Sequence, residues 1–265
     1  MLIKDYLKQL KNTTYDEPKK VFTLYLNTDP RDPDQQGDKW KIQLKKALND
    51  LADRTKDSDS HEEKNQAKSI REKVENDVYG KENELKRSLI LFATSDEDLW
   101  FSEALDVPVT TEYHWDNQPH TEQLQNLVSD YPHSGVLVIQ QDRAQLIETE
   151  IDMVLDTTYY KLDMNTDEWR QHQGPQGSDW TQGGAKKDEY QERVEAHQQR
   201  WFKSLAETIQ KKGKQQGWEQ LQLVGEKEEI ERLKDYFDWE INKMIPRNLL
   251  DQNPSQILTD VFAEE

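Results

Sequence analysis

Beyond Tyr190 the apolar residues fall at Val194, Trp201, Leu205 and Ile209, with Phe202 and Ala206 beside them. That three-to-four spacing predicts a helix with one buried stripe, running to about Gln210. The stretch before it has the opposite character. Gly174, Gly177, Gly183 and Gly184 with Pro175 give a backbone freedom and close approach rather than packing, so a glycine tip is expected on a rigid helix.

The N-terminal half mixes both periods. Leu2, Ile3, Tyr6, Leu7 and Leu10 mark an amphipathic opening helix. Residues 21–26 are β-branched and aromatic and stop at Asn27, Thr28, Asp29 and Pro30, so they read as a core strand. Ile42, Leu44, Ala47, Leu48 and Leu51 predict a helix over 40–52. After a polar break at 56–60, Ile70, Val74 and Val78 give a second helix, over 62–79, one narrow apolar stripe. Residues 88–94 are nearly all apolar and form a central strand, with 99–105 returning as its hairpin partner. Pro108 limits residues 109–113 to an edge strand, and a short helix over 120–128 follows.

Asp130, Tyr131, Pro132, His133, Ser134 and Gly135 combine turn chemistry in one place. They read as a hinge, which puts one domain at 1–133 and another at 134–265. In the second domain 136–139 and 144–148 form a hairpin around Gln140, Gln141, Asp142 and Arg143, and 153–162 adds a third strand. The glycine loop, the long helix, a strand over 220–225 and helices over 226–237 and 255–262 complete it. The element order predicts two α/β domains, and no repeat of 20–50 residues interrupts it.

Hydrophobic and charged residues each make up 33% of the 265 residues, so the cores depend on eight Trp and ten Tyr to bury enough area. The absence of Cys excludes disulfides and thiolate sites. Nothing near Met1 has the apolar core of a signal peptide, and no apolar run approaches the ~20 residues of a membrane span. A cytoplasmic protein is expected. The net charge of −18 counts against a polyanionic partner, but it is unevenly spread. Residues 186–214 hold eight basic and five acidic side chains, whereas 215–265 hold five and twelve. The long helix is a local positive island in an otherwise solubilising acidic surface.

Gly183, Gly184 and Ala185, followed by a polar helix reaching Leu205, Ala206, Glu207 and Thr208, resemble the middle domain of the class-1 translation termination factors of archaea and eukaryotes. His120, Thr121 and Glu122 ahead of Leu124, and the hairpin over 136–148, resemble that family's hand-over from first to middle domain. The chain is therefore identified as similar to divergent bacterial members of the archaeo-eukaryotic release factor superfamily, kin to Pelota-type rescue factors. The resemblance implies a mixed-sheet, ribonuclease-H-like second domain. It also implies a Gly-Gly-Gln tip that brings its glutamine to a peptidyl-tRNA ester, yet Ala185 stands where that glutamine would be. The family's stop-codon motif Asn-Ile-Lys-Ser does not occur over 58–69, and a third, GTPase-recruiting domain like the family's is not expected here.

Two readings of the tip stay open. Backbone N–H groups at Gly183 and Gly184 could still stabilise an oxyanion and keep a peptidyl-tRNA hydrolase active, or the loop docks without efficient cleavage. Lys186, Lys187, Arg193 and Arg200 are candidate RNA-phosphate contacts, and Trp180 a candidate base-stacking residue. Glu189 four residues before Arg193 also fits an ordinary helical ion pair. Asp142, Asp152, Asp156 and Asp163 follow one another along turns and strands rather than converging, so they read as surface acids rather than a two-metal site. The six histidines show no ligand spacing, and no nucleotide fingerprint or nucleophile elbow is present, so neither metal nor cofactor is expected. The partners expected are the ribosome or tRNA, with a translational GTPase as a further one, and neither membrane nor DNA. The roles in view are ribosome rescue, recycling or hibernation, against a protein-interaction module that keeps only the fold.

Overall fold

A computed structural model describes residues 2–56, 60–163, 168–172, 174 and 184–262, with backbone alone at 163, 168 and 184–198. The chain divides into two compact units, Met1–Ser129 and Asp130–Glu265.

The first unit is a four-stranded antiparallel sheet in the order β3-β2-β1-β4, built from β1 (Val21–Asn27), β2 (Ser88–Thr94), β3 (Trp100–Leu105) and β4 (Glu112–Asp116). Its two central strands are apolar nearly throughout because helices cover both faces. Phe22, Leu24, Leu26, Leu89, Leu91 and Ala93 pack against α2 (Lys39–Lys56) and α3 (His61–Gly80). On the other face Tyr6 of α1 (Ile3–Lys11) stacks on Phe101 at 4.6 Å, and the Tyr25 hydroxyl donates to the His120 carbonyl at 2.9 Å, just ahead of α4 (Glu122–Asp130). Burial pushes the Tyr25 phenol well above its ordinary range, so it remains a donor.

The stripe Ala67, Ile70, Val74 and Val78 of α3 is buried as its spacing requires. Ser60 starts that helix by accepting the Glu63 N–H at 3.2 Å. Ser60→Ala is expected to lower stability by about 1 kcal/mol, read as a shift in the urea midpoint at unchanged slope.

Two expectations in this unit are corrected. Ile42 is 69% exposed rather than in the core. The buried face of α2 is Trp40, Leu44, Ala47, Leu48 and Leu51, and a residue two positions from Leu44 lies about 200° round the helix. The edge strand runs over Glu112–Asp116 rather than 109–113. Gln123 is the reason at one end, since its side chain bonds both the N–H and the carbonyl of Thr110, each at 2.9 Å. Thr111 is used likewise, its hydroxyl accepting the Asn27 N–H at 3.0 Å.

The second unit is a six-stranded mixed sheet in the order β10-β9-β5-β6-β7-β8. Strands β5 (Ser134–Gln140), β6 (Arg143–Glu150), β7 (Met153–Asp163) and β8 (Glu168–His172) form an antiparallel meander, while β9 (Gln220–Val224) and β10 (Lys243–Ile245) run parallel to β5. A meander flanked on its first strand by parallel strands is the ribonuclease-H-like arrangement. Alternation along β5 sends Leu137 and Ile139 to the face covered by α5 (Gly184–Gln216) and α6 (Lys227–Lys234). Val136 and Val138 go to the face covered by Leu249, Leu250 and α7 (Pro254–Phe262).

Strands β8 and β10 have no counterpart in the sequence reading. Both are edge strands, β8 with Trp169 as its one apolar residue and β10 only three residues long, held by backbone ladders to longer neighbours. Tyr131, Pro132 and His133, read as part of a hinge, are fastened to the second unit. The Tyr131 carbonyl accepts the Ile151 N–H at 3.1 Å, and His133, 1% exposed, bonds Glu148 at 2.8 Å.

Candidate functional site

Helix α5 is 33 residues long, about 50 Å at 1.5 Å per residue. Only its C-terminal half has a described base. Trp201, Phe202, Leu205, Ala206 and Ile209 are buried, each no more than 2% exposed. The Trp169 indole of β8 donates to the Trp201 carbonyl at 3.0 Å. Lys212 reaches back to β7, donating to Asp156 at 2.8 Å and Thr158 at 2.7 Å, and its ammonium holds the Asp156 carboxyl below the usual carboxylate range. Gln210 donates to the Tyr236 carbonyl and accepts the Asp238 N–H at 2.9 Å.

The far end is stopped firmly. Gly217 takes φ +72°, and the Trp218 N–H returns to the Gly213 carbonyl at 3.0 Å, the long bond of a Schellman stop. Gly213 must be glycine because a Cβ there would lie 2.4 Å from the Trp239 ring and 2.7 Å from the Trp218 ring.

From this base the helix continues back through Arg200 to Gly184, a further ~25 Å of helix. The sequence-predicted residues are distributed along it. Gly184, Ala185, Lys186 and Lys187 form its first turn, so Gly184 and Ala185 belong to the helix rather than to a loop tip. Lys186, Arg193 and Arg200 recur at seven-residue intervals, which keeps these positions on one side of the rod with a drift of roughly 20° per interval. Arg200 is exposed. Trp180 and Gly183 lie outside the described residues, as does any pairing of Glu189 with Arg193.

Of the carboxylates weighed for metal binding, Asp142, Asp152 and Asp156 do not meet, and the Asp163 side chain lies outside the described residues. Asp142 and Asp152 sit in the turns at opposite ends of β6, and Asp156 is bound to Lys212. Among the described residues no group of three or more His, Asp or Glu side chains could hold a metal ion, and no helix is long and apolar enough to cross a membrane.

The feature that sequence reading missed lies on α2, where Lys39, Ile42, Lys45 and Lys46 share the exposed side. The two-residue step from Ile42 to Leu44 was the signal for it.

A model of the bacterial archaeo-eukaryotic release factor family 5 matches residues 132–263. The chain is also 30% identical over 264 residues, with all of both chains covered, to the uncharacterized protein YocB of Bacillus subtilis (strain 168). The chain belongs to bacterial archaeo-eukaryotic release factor family 5. Membership makes it a release-factor-like protein with a translation-related role.

Among solved structures, this family 5 chain is similar to the archaeal translation termination factor aRF1, with 13% identity, 98% of this chain and 73% of that one covered and a TM-score of 0.37. It is also similar to an archaeal protein at 13% identity, 97% and 72% coverage and a TM-score of 0.31. No residue's role is carried over from either.

Proposed function

We propose that this family 5 protein docks on a ribosomal RNA or tRNA site in the cytoplasm, during ribosome rescue, recycling or hibernation, without efficient hydrolysis of peptidyl-tRNA. The observation that supports it is the construction of α5. A long helix is clamped at one end by Trp201, Phe202, Leu205 and Ile209. At its other end it starts at Gly184, with Lys186 and Lys187 in the first turn.

Lysines at that end add to the positive pole of the helix, which suits a phosphate-bearing partner. Ala185 has no amide with which to position water against an ester. Docking would therefore persist where cleavage is lost.

The test combines binding and chemistry. The purified protein should sediment with ribosomes at low salt, and Lys186→Glu with Lys187→Glu should weaken this several-fold and make it less salt-dependent. Stalled complexes carrying labelled peptide should release little peptide with the wild type, and more with Ala185→Gln. Release by the wild type that Gly184→Pro abolishes would establish an active hydrolase instead. A protein that ignores ribosomes and tRNA at low salt would sink both readings.

A further inference from the structure

On the first unit, far along the chain from α5, a second surface of the opposite sign to the whole protein occurs. Between Lys39 and Asn49, α2 carries four lysines and no carboxylate, in a chain of net charge −18. Lys41 is neutralised by Asp38 at 3.1 Å and Glu82 at 2.6 Å. Lys39, Lys45 and Lys46 are exposed and make no ion pair among the described residues. The carboxylate one turn beyond Lys46 is engaged elsewhere, since Asp50 accepts the Tyr113 hydroxyl.

These three ammonium groups frame Ile42, at spacings of three and four residues that place all four side chains on one strip of helix. At 69% exposure Ile42 is the most exposed of the large hydrophobic residues among the described ones. A solvated helix face gains nothing from this composition. Its first turn holds no acidic residue, lysine at that end opposes the helix dipole, and a bare isoleucine contributes no burial.

We infer that this strip of α2, centred on Ile42, binds the sugar-phosphate backbone of RNA through Lys39, Lys45 and Lys46. The charge is complementary to phosphate. Three unpaired lysines around a single apolar contact are unlike the core of a protein interface, which is depleted in lysine and needs a larger apolar or aromatic patch. Lysine provides point charges that fix orientation without reading sequence, and Ile42 fills the apolar contact against a sugar or base. Lys39 and Lys46 are seven residues apart, about 10 Å along the axis, so the strip spans neighbouring phosphates rather than one ion. The inference rests on the RNA-docking reading above and adds a second contact on the other unit.

The experiment uses the full chain with a mixed tRNA pool and with purified ribosomes, titrated over a range of salt. Replacing Lys39, Lys45 and Lys46 together by Glu should reduce affinity at low salt at least ~10-fold. It should also flatten the log–log salt dependence by about two. The charge-matched control with Lys11, Lys227 and Lys234 changed to Glu should lose less than ~3-fold. Ile42→Ser should weaken binding while leaving the salt slope as in the wild type. Unchanged urea midpoints establish that each variant is folded.

A lysine variant no weaker than the control overturns the inference while leaving the docking proposal intact. A wild type that binds no RNA overturns both. If the lysine variant keeps its affinity for tRNA and ribosomal RNA but loses a cross-linked ribosomal protein, the surface is a protein contact and the RNA assignment is wrong.

Discussion

Phe202→Ala is expected to destabilise the second unit by about 3–5 kcal/mol, the usual cost of emptying a fully packed aromatic site. Phe202 is 2% exposed and shares its cluster with Leu137 and Ile139 of β5, Leu146 of β6, Tyr160 of β7 and Ile230 and Leu233 of α6. Its ring meets Tyr236 edge-on at 6.4 Å. Those neighbours come from three strands and a second helix, so the cavity cannot be closed by moving one element.

Urea unfolding followed by far-ultraviolet circular dichroism measures the loss, and Phe202→Leu provides the comparison, at less than about 1.5 kcal/mol. An alanine variant within 1 kcal/mol of wild type would mean that α5 is not clamped as described. The consequence reaches function, because among the described residues α5 is anchored through this base. Hydrogen exchange along α5 should therefore rise in Phe202→Ala before global unfolding does.

How far such an account could be read from residues alone depends on how each element earns its place. Residues 88–94 were legible because a strand covered on both faces must be apolar throughout, and all seven positions of β2 are buried. The stripe of α3 was legible for the complementary reason, since Ile70, Val74 and Val78 have no alternative side to face. Strands β8 and β10 were not. Arg170 and Lys243 carry nothing that prefers a strand, and what makes them one is the ladder offered by β7 and β9.

The same distinction holds at the candidate sites. Gly183, Gly184 and the long helix are visible as composition and period, and the helix stripe from Trp201 onward is buried as its spacing requires. That Gly184 already belongs to α5 is set by backbone geometry, which a run of glycines does not specify. The lysine strip on α2 was hidden by an error of phase. Counting Ile42 into the core made its lysine neighbours look like an ordinary flank. Once Trp40, Leu44, Ala47, Leu48 and Leu51 define the buried side, Ile42 becomes an unexplained apolar residue among cations.

Glu229→Gln is expected to raise stability at pH 8 by about 2–3 kcal/mol and to remove a pH dependence that the wild type has between pH 4.5 and 7. Glu229 of α6 is 9% exposed and accepts the Gln141 N–H at 2.9 Å. It thereby holds the two-residue turn between β5 and β6, where Gln141 adopts φ +53°. Burial pushes its carboxyl up to about 7, against the pull of the Gln141 N–H and with a smaller push from Glu226.

A carboxyl whose folded pKa lies above its unfolded value of 4.5 binds its proton more tightly in the folded state. Its contribution to stability is therefore complete below pH 4.5 and is lost as pH rises through 7, by about 3–4 kcal/mol at most, at 1.36 kcal/mol per unit. The depressed carboxyls, such as Asp96 at about 2, act only at lower pH and leave this window flat. The informative quantity is the difference between variant and wild type at each pH. Glutamine keeps a carbonyl for the Gln141 N–H and carries no charge to desolvate, so that difference should grow from pH 4.5 to 7 and then level. A difference that stays constant across the window would show that Glu229 is solvated in the folded chain, and that another group caps the turn.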